Sequence, residues 1–258
     1  RFDCVEELYG GGASAAAQPA IVRAEAAALR VLRRLGVEAD VAVGHSLGEL
    51  AALHWAGSMS ERELLETAAA RAAAMDGAET PAGAMAALAC DCARAAHLLD
   101  GAPVWIAGAN SPGQTAISGL PDDVRRACER ARAAGVAAAP IAVERAFHSP
   151  LMASAAERFA AWLAGRAWQP PQRPVHSTVT GARLADTADL AALLAGQITA
   201  RVRFEEAFGS AGAVDLWIEC GPGSTLSRLA TQMGAAAAAV DAGGASLRGL
   251  LEAVAAAW

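Results

Sequence analysis

The chain has 258 residues, 27 acidic and 21 basic side chains, a formal net charge of −6 and a hydrophobic fraction of 54%, which is typical of one sizeable globular domain or one with a small insert. All 21 basic residues are arginine, so chemistry that needs a lysine, such as Schiff-base formation, pyridoxal phosphate anchoring or a P-loop, is excluded. No apolar run approaches the roughly 20 residues that span a bilayer, and no basic stripe alternates with aromatic residues, so neither a membrane nor a nucleic acid is expected as a partner.

The first third of the chain is predicted to hold one strand among three helices. Pro19 lies near the start of an apolar pattern with helical spacing and Gly36 lies just past its end, as is usual at helix boundaries. Ser60 and Glu63 form a capping-box signature that opens another helix. The predicted elements are helix 19–35, strand 37–43, helix 49–56 and a helix from 60 through 75.

The middle of the chain has the element order βαββαβ, which is that of a ferredoxin-like unit. The predicted elements are strand 84–89, helix 92–99, strands 104–107 and 115–118, helix 122–134 and strand 136–143. We therefore predict a ferredoxin-like small subdomain over residues 83–145, inserted into a larger α/β domain made of residues 1–82 and 146–258.

The last part of the chain returns to alternating helices and strands. The predicted elements are helix 150–165, a proline-rich linker, strand 175–179, helix 190–198, the segment 202–208 and strand 216–219. Such alternation predicts a largely parallel sheet that is covered on both faces.

A Gly-x-Ser-x-Gly motif lies between the first predicted strand and the next helix, at Gly44-His45-Ser46-Leu47-Gly48. In this context the two glycines allow a sharp turn that presents Ser46 as a nucleophile. The serine would lie at a helix N-terminus, where the Leu47 amide can donate to a developing oxyanion. The alternative is a turn serine that only caps the helix.

A serine nucleophile needs a base, and the chain has five histidines. His45 is adjacent to the serine and so points elsewhere, His54 and His97 lie on predicted helices as surface or packing residues, and His176 lies in a predicted strand. His148 lies where the inserted unit returns to the main domain, and such junctions line clefts. His148 is therefore the preferred candidate for the base.

The cysteine and histidine patterns indicate neither a disulfide framework nor a metal site. The five cysteines are an odd number without a Cys-x-x-Cys pair, and no histidines are paired at ligand spacing. The chain also opens without a secretory signal, so we expect free thiols, no metal and a cytoplasmic protein.

Eight spaced motifs carry a resemblance to a known family over nearly the whole chain. They are Gly-His-Ser-Leu-Gly-Glu at 44–49, Arg71 with Met75, Gly-Ala-Met-Ala at 83–86, Ala-Asn-Ser-Pro at 109–112, Phe-His-Ser-Pro-Leu-Met at 147–152, Ser-Thr-Val-Thr-Gly at 177–181, Val-Arg-Phe at 202–204 and Glu-Cys-Gly-Pro-Gly at 219–223. The chain resembles the malonyl-CoA:acyl carrier protein transacylases, and specifically the acyltransferase domain of a type I polyketide synthase of the iterative kind. The resemblance implies an α/β-hydrolase-like parallel-sheet core around the small subdomain.

The resemblance further implies a ping-pong acyl transfer without a bound cofactor. Ser46 would take a malonyl group from malonyl-CoA and pass it to the phosphopantetheine thiol of an acyl carrier protein, with His148 as base and acid. The position that matches the family's histidine-orienting backbone carbonyl is Gln197. The implied partners are the carrier protein and neighbouring domains of a multidomain synthase.

Substrate recognition can also be carried over from the family. Arg71 matches an arginine that binds the free carboxylate of the acyl group, although an arginine in a helix is otherwise a surface residue. Phe147 and Leu47 match positions that favour malonyl over methylmalonyl, and Gln18 and His45 are weaker pocket candidates.

Two departures from the family qualify these expectations. Arg145 replaces the family's histidine in the selectivity motif. The Gly-Gln-Gly turn that supplies a second oxyanion donor would precede residue 1, so it either lies upstream or is lost at a cost of about 100- to 1000-fold in rate.

Two other functions remain open at this point. A thioesterase or esterase on an α/β-hydrolase scaffold would share the serine and histidine but keep an acidic third member, and a silent structural domain would form no acyl-enzyme. A predicted arginine-rich helix is either a docking patch for an acidic carrier protein or a solvated face; its arginines are Arg125, Arg126, Arg130 and Arg132.

Overall fold

The computed structural model describes residues 17–258 as a mixed α/β fold. The helices are α1 Ala17–Arg34, α2 Gly48–Trp55, α3 Glu61–Asp76, α4 Cys92–Leu99, α5 Pro121–Ala133, α6 Ala153–Leu163, α7 Leu190–Gln197, α8 Phe204–Ser210, α9 Thr225–Gln232 and α10 Arg248–Ala257, with a 3₁₀ turn Pro150–Met152 before α6. The strands are β1 Ala42–Gly44, β2 Ala84–Leu88, β3 Val104–Ser111, β4 Gln114–Gly119, β5 Ala138–Ile141, β6 Val175–Ser177, β7 Ala182–Arg183, β8 Val202–Arg203, β9 Trp217–Glu219 and β10 Ala237–Ala239.

The predicted large parallel sheet is present as two short fragments within residues 17–258. In one fragment β1 pairs in parallel with β6, which pairs in turn with the antiparallel β7. In the other fragment β9 pairs in parallel with β10. The prediction of parallel pairing is confirmed, and within residues 17–258 the parallel pairs lie in two separate fragments.

The middle of the chain forms a separate five-stranded sheet in the order β5-β2-β4-β3-β8. Its first four strands pair antiparallel, and helices α4 and α5 bury their apolar faces on one side of it. The fifth strand, β8, comes from much later in the chain and pairs in parallel with β3. This pairing brings residues near 202 against the middle segment, which sequence reasoning did not predict.

Several predicted boundaries are corrected. Residues 37–41 are not a strand, because Val37 packs as a loop residue against the apolar cluster between α1 and α10. Residues 136–143 contain the shorter β5, since Val136 closes the end of α5 through a backbone bond to Ala131. The predicted helix 150–165 begins as a 3₁₀ turn, and the alanine-rich C-terminal segment contains β10 and α10, which were not predicted.

Local capping signals are confirmed where they were predicted. The Ser60 side chain accepts from the Glu63 amide while the Glu63 carboxylate accepts from the Ser60 amide, so the capping box opens α3. Helix α2 buries Leu50 and Leu53 completely in the largest apolar cluster, which also holds Phe159 and Leu194 from α6 and α7. This cluster fixes the three helices whose ends meet at the site below.

No helix among residues 17–258 is long and apolar enough to cross a membrane. Four cysteines of the described segment, Cys90, Cys92, Cys128 and Cys220, are free thiols. Cys4 and the opening residues 1–16 lie outside the described residues.

Candidate active site

Ser46 lies on a strained turn between β1 and α2. Its φ angle is +49°, a left-handed conformation that is unfavourable for a residue with a Cβ atom. A Cβ atom at Gly44 would lie 2.4 Å from the Cα atom of Glu49, so only glycine allows the strand to approach the helix this closely. The predicted strand–turn–helix context of the motif is therefore present.

Ser46 and His148 meet although 102 residues separate them in the sequence. The distance from Ser46 Oγ to His148 Nε2 is 2.8 Å. His148 also has a left-handed φ of +57°, and its amide donates to the carbonyl of Ile198 at 3.2 Å. Two strained residues thus face each other, as is common where the surrounding fold holds reactive groups in place.

The other ring nitrogen of His148 faces backbone carbonyls at the C-terminal end of α7. His148 Nδ1 is 3.1 Å from the carbonyl oxygen of Gln197 and 2.9 Å from that of Ala200. Two acceptors at Nδ1 require the proton there, so the neutral ring accepts the Ser46 hydroxyl proton at Nε2. The negative end of the α7 dipole points at the same nitrogen.

Burial keeps the His148 imidazole neutral. Desolvation, followed by the positive charge of Arg71 and by the neighbouring His45, lowers its pKa from 6.5 to about 3, while the two carbonyls oppose the shift. A neutral imidazole is the form that can accept a proton.

Gln197 touches both members of the pair. Its backbone carbonyl contacts the ring of His148, whereas its side-chain Nε2 donates to the Ser46 carbonyl at 2.9 Å and to the carboxylate of Glu49. Glu49 is fully buried, and burial raises its pKa to about 7 despite the hydrogen bond from the Gln197 amide.

Arg71 is a buried cation on α3, not a surface residue. It is 3% exposed, its Nη1 donates to Gln18 Oε1 at 2.7 Å, and its pKa is lowered by burial to about 10. Its Nε–H is buried and makes no hydrogen bond within residues 17–258, and no carboxylate of this segment forms an ion pair with it. A guanidinium in this condition has donors available for a planar anion.

Residues of the middle sheet reach the turn through His45. Its Nε2 is 3.1 Å from Asn110 Oδ1, and the Asn110 amide donates to Gln114 Oε1 at 3.0 Å. The ring also packs edge-on against Phe204, and burial lowers its pKa to about 4. His45 thus joins the serine turn to the middle sheet.

Leu47 supplies an amide directly beside Ser46. The next two amides, of Gly48 and Glu49, return to the carbonyls of His45 at 2.9 Å and Ser46 at 3.0 Å. No hydrogen bond is made by the Leu47 amide to any acceptor among residues 17–258. This donor is therefore available to a ligand at Ser46.

Phe147, next to the histidine, is half-buried between two apolar clusters, one in the main domain and one in the middle sheet. Arg145 donates to the backbone and the side chain of Thr80, so it ties the two crossing segments together. The departure from the family motif at 145 is thus a structural contact in this chain.

A cavity of about 1110 Å³ borders the serine turn. Ser46 and Leu47 contribute to its wall together with β1 and β9, but Arg71 and His148 do not. Residues of both parallel sheet fragments line this cavity.

Sequence reasoning missed three members of the site. Ala200 contributes only a carbonyl, which has no signature in a sequence. Glu49 was taken as the start of a helix, although an acid directly after the Gly-x-Ser-x-Gly turn in an apolar helix was a usable signal. Asn110 was noted in a motif without a role.

The remaining candidates have structural contacts. His54 Nδ1 bonds the Met59 carbonyl, His176 Nδ1 bonds Ser210, and His97 is exposed. On α5, Arg125 and Arg126 form ion pairs within their own helix, which favours a solvated face. Among residues 17–258 no cluster of His, Cys, Asp or Glu could hold a metal ion.

Known proteins resemble this chain over most of its length. Residues 13–249 match the family described as acyl transferase domain. The malonyl CoA-acyl carrier protein transacylase of Bacillus subtilis is 37% identical over 224 residues, covering 83% of this chain and 70% of that protein. The crystal structure of the acyltransferase domain of the iterative polyketide synthase in enediyne biosynthesis is 43% identical, with a TM-score of 0.90 over 95% of this chain and 66% of that chain.

Some relatives are much longer. Polyketide synthase GfsB of Streptomyces halstedii is 35% identical over 219 residues, which are 82% of this chain but 4% of the synthase.

Proposed function

Because the chain belongs to the acyl transferase domain family, we propose that it transfers a malonyl group from malonyl-CoA to the phosphopantetheine thiol of an acyl carrier protein. The observation that carries this proposal is the hydrogen bond of 2.8 Å between Ser46 and a neutral His148, next to the buried cation of Arg71, whose Nε–H makes no hydrogen bond within residues 17–258. The name of the Bacillus subtilis relative supports the choice of donor and acceptor.

In the first half-reaction, His148 Nε2 takes the proton of the Ser46 hydroxyl as Oγ attacks the thioester carbonyl. The Leu47 amide donates to the oxyanion that forms. When the C–S bond breaks, the proton on Nε2 passes to the CoA thiolate, which leaves a malonyl ester on Ser46. The carbonyls of Gln197 and Ala200 stabilise the transient imidazolium through Nδ1–H.

In the second half-reaction the carrier thiol gives its proton to His148 and attacks the ester. The tetrahedral intermediate collapses, Ser46 recovers the proton, and the malonyl group leaves as a carrier thioester. The reaction needs no resident cofactor, since the CoA and phosphopantetheine thiols carry the acyl group.

Arg71 selects the acyl group in this proposal. A planar guanidinium binds a carboxylate through two parallel hydrogen bonds. The bound carboxylate also screens the positive charge of Arg71, which lowers the His148 pKa, so a bound malonyl group strengthens the base that activates Ser46. Phe147 limits the space at the α-carbon and favours malonyl over methylmalonyl, and Gln18 positions Arg71.

The hydrolase alternative is not favoured by the same geometry. A thioesterase of the α/β-hydrolase type would place a carboxylate at His148 Nδ1, whereas two backbone carbonyls occupy that position here. It would also have no use for a buried arginine beside the base. The silent-domain alternative leaves the strained serine and histidine without a reason for their close contact.

The proposal extends to architecture and setting. The strand order β5-β2-β4-β3 supports a ferredoxin-like small subdomain over residues 83–145, inserted into an α/β-hydrolase-like large subdomain of residues 1–82 and 146–258. The short share of the polyketide synthases that the chain covers supports neighbouring synthase domains as partners. The free thiols support a cytoplasmic setting.

Steady-state kinetics with varied malonyl-CoA and varied holo carrier protein test the proposal. A ping-pong mechanism predicts parallel lines in double-reciprocal plots, with malonyl groups recovered on the carrier. Intersecting lines, or release of malonate at the same rate with and without carrier, would contradict it.

A further inference from the structure

Glu49 is a buried acid in the first turn of α2, three residues after the serine. It has no exposed surface, and its carboxylate accepts a hydrogen bond from the side-chain amide of Gln197. Its other oxygen, Oε1, is buried and accepts no hydrogen bond within residues 17–258. The acid thus links α2 to α7 through Gln197.

The Gln197 amide has only one orientation that fits. Its two N–H groups meet two acceptors, the carboxylate of Glu49 and the carbonyl of Ser46 at 2.9 Å. Turning the amide over would set its oxygen against both acceptors, so the amide direction is fixed. Its Oε1 is buried and accepts no hydrogen bond within residues 17–258, so only the N–H side holds it.

The same residue holds the histidine through its backbone. The carbonyl of Gln197 lies 3.1 Å from His148 Nδ1, while its side chain grips the Ser46 carbonyl. A shift of this residue would therefore change the distance between Oγ and Nε2 from both sides. Misplacement by about 1 Å can cost about 100-fold in rate.

We propose that Glu49 is a positioning residue for the acyl transfer: through the side-chain amide of Gln197 it holds Ser46 and His148 in register for attack. The inference rests on the proposed function, since the rate that it concerns is that of Ser46 acylation. The Glu49 carboxylate makes no hydrogen bond to Ser46 Oγ, to His148 or to Arg71 within residues 17–258, although its negative charge raises the pKa of the Arg71 guanidinium against the effect of burial.

The test is a double-mutant cycle on the full chain, with Glu49→Ala, Gln197→Ala and the combined variant. Quenched-flow mass spectrometry with malonyl-CoA gives the maximal rate of Ser46 acylation and the KM. We expect each single variant to lose about 10- to 100-fold in maximal rate with KM changed less than about threefold, and the double variant to lose no more than about threefold beyond the slower single one.

A matched control separates positioning from loss of structure. Asp189 caps α7 by accepting from the Ala192 amide at 3.0 Å, so Asp189→Ala weakens the same helix without touching the amide link. It should lower the Tm and leave the maximal acylation rate within about twofold. If Asp189→Ala loses as much rate as Glu49→Ala, or if the two single losses multiply in the double variant, the proposal is overturned.

Gln197→Met keeps the test decisive should Glu49→Ala fail to fold. It retains the backbone carbonyl and the side-chain length but has no N–H donor, so it should lose rate like Gln197→Ala. A wild-type rate in this variant would overturn the inference. The proposed function fails separately, when the wild-type chain itself forms no Ser46 adduct.

Discussion

Replacing Arg71 by methionine tests the carboxylate site most sharply, because the substitution removes the charge and keeps the length of the side chain. Arg71 is 3% exposed, so water cannot readily take the place of the guanidinium in the variant. Its Nε–H has no hydrogen-bond partner within residues 17–258, so this donor is available to the acyl carboxylate. Truncating one partner of a buried, hydrogen-bonded charge pair costs about 2 to 5 kcal/mol. At about 1.4 kcal/mol for each factor of ten, this predicts a loss of about 30-fold to several thousandfold in kcat/KM for malonyl-CoA.

Acetyl-CoA provides the internal comparison, since it has no carboxylate for the guanidinium to bind. We expect its kcat/KM to change by less than about threefold, so that the malonyl preference collapses. Single-turnover acylation followed by intact mass measures both donors in one mixture. Arg62→Met, on the exposed face of the same helix and paired with Glu66, is the matched control and should leave both rates unchanged. Equal losses for acetyl and malonyl would refute the carboxylate assignment.

Three other changes have defined outcomes. Phe147→Ser should shift the ratio of methylmalonyl to malonyl loading by about 5- to 100-fold, because a methyl group is worth about 1 to 3 kcal/mol of discrimination; an unchanged ratio in a competition assay would remove Phe147 from the selectivity argument. Gly44→Ala should unfold the chain or lower its Tm strongly, because the new Cβ would meet the backbone of Glu49 at 2.4 Å, whereas Gly209→Ala in the open part of α8 should be neutral or stabilising; similar Tm values would contradict this. Burial raises the pKa of Glu25 from 4.5 to about 8. The stability that the protonated carboxyl contributes is therefore present below pH 4.5 and is lost as the pH rises through 8. The Tm of Glu25→Gln relative to the wild type should rise from pH 5 to pH 9, and a Tm difference that stays constant over this range would refute the burial argument.

Local chemistry made part of this structure predictable. The serine turn follows from two glycines around Ser46, because the chain can make this approach only without a side chain at Gly44. The capping box at Ser60 likewise depends on residues three positions apart. Such signals need no knowledge of the rest of the fold.

Contacts across the chain were predictable only in outline. The position of His148 at a junction made it a candidate, but no local pattern predicts its 2.8 Å contact with Ser46, which lies 102 positions away in the sequence. The carbonyl of Ala200 has no signature, because every residue has a carbonyl. Strand β8 has two residues and exists through its pairing with β3, so no local pattern could indicate it.

Two apolar residues that the sequence predicts in strands are buried by packing and do not pair with a neighbouring strand. Val37 and Val136 are β-branched and were assigned to strands, yet one packs between two helices and the other closes a helix end. In both cases burial satisfies the apolar side chain without a neighbouring strand.

The central claim is that Ser46 carries a malonyl group between two thiols. The measurement that tests it most directly is the intact mass of the protein after brief exposure to malonyl-CoA, methylmalonyl-CoA and acetyl-CoA in competition. We predict a malonyl adduct that maps to Ser46, is absent in Ser46→Ala, and disappears when holo carrier protein is added. Free CoA accumulating without an adduct or a loaded carrier, or an adduct that persists in Ser46→Ala, would contradict the account.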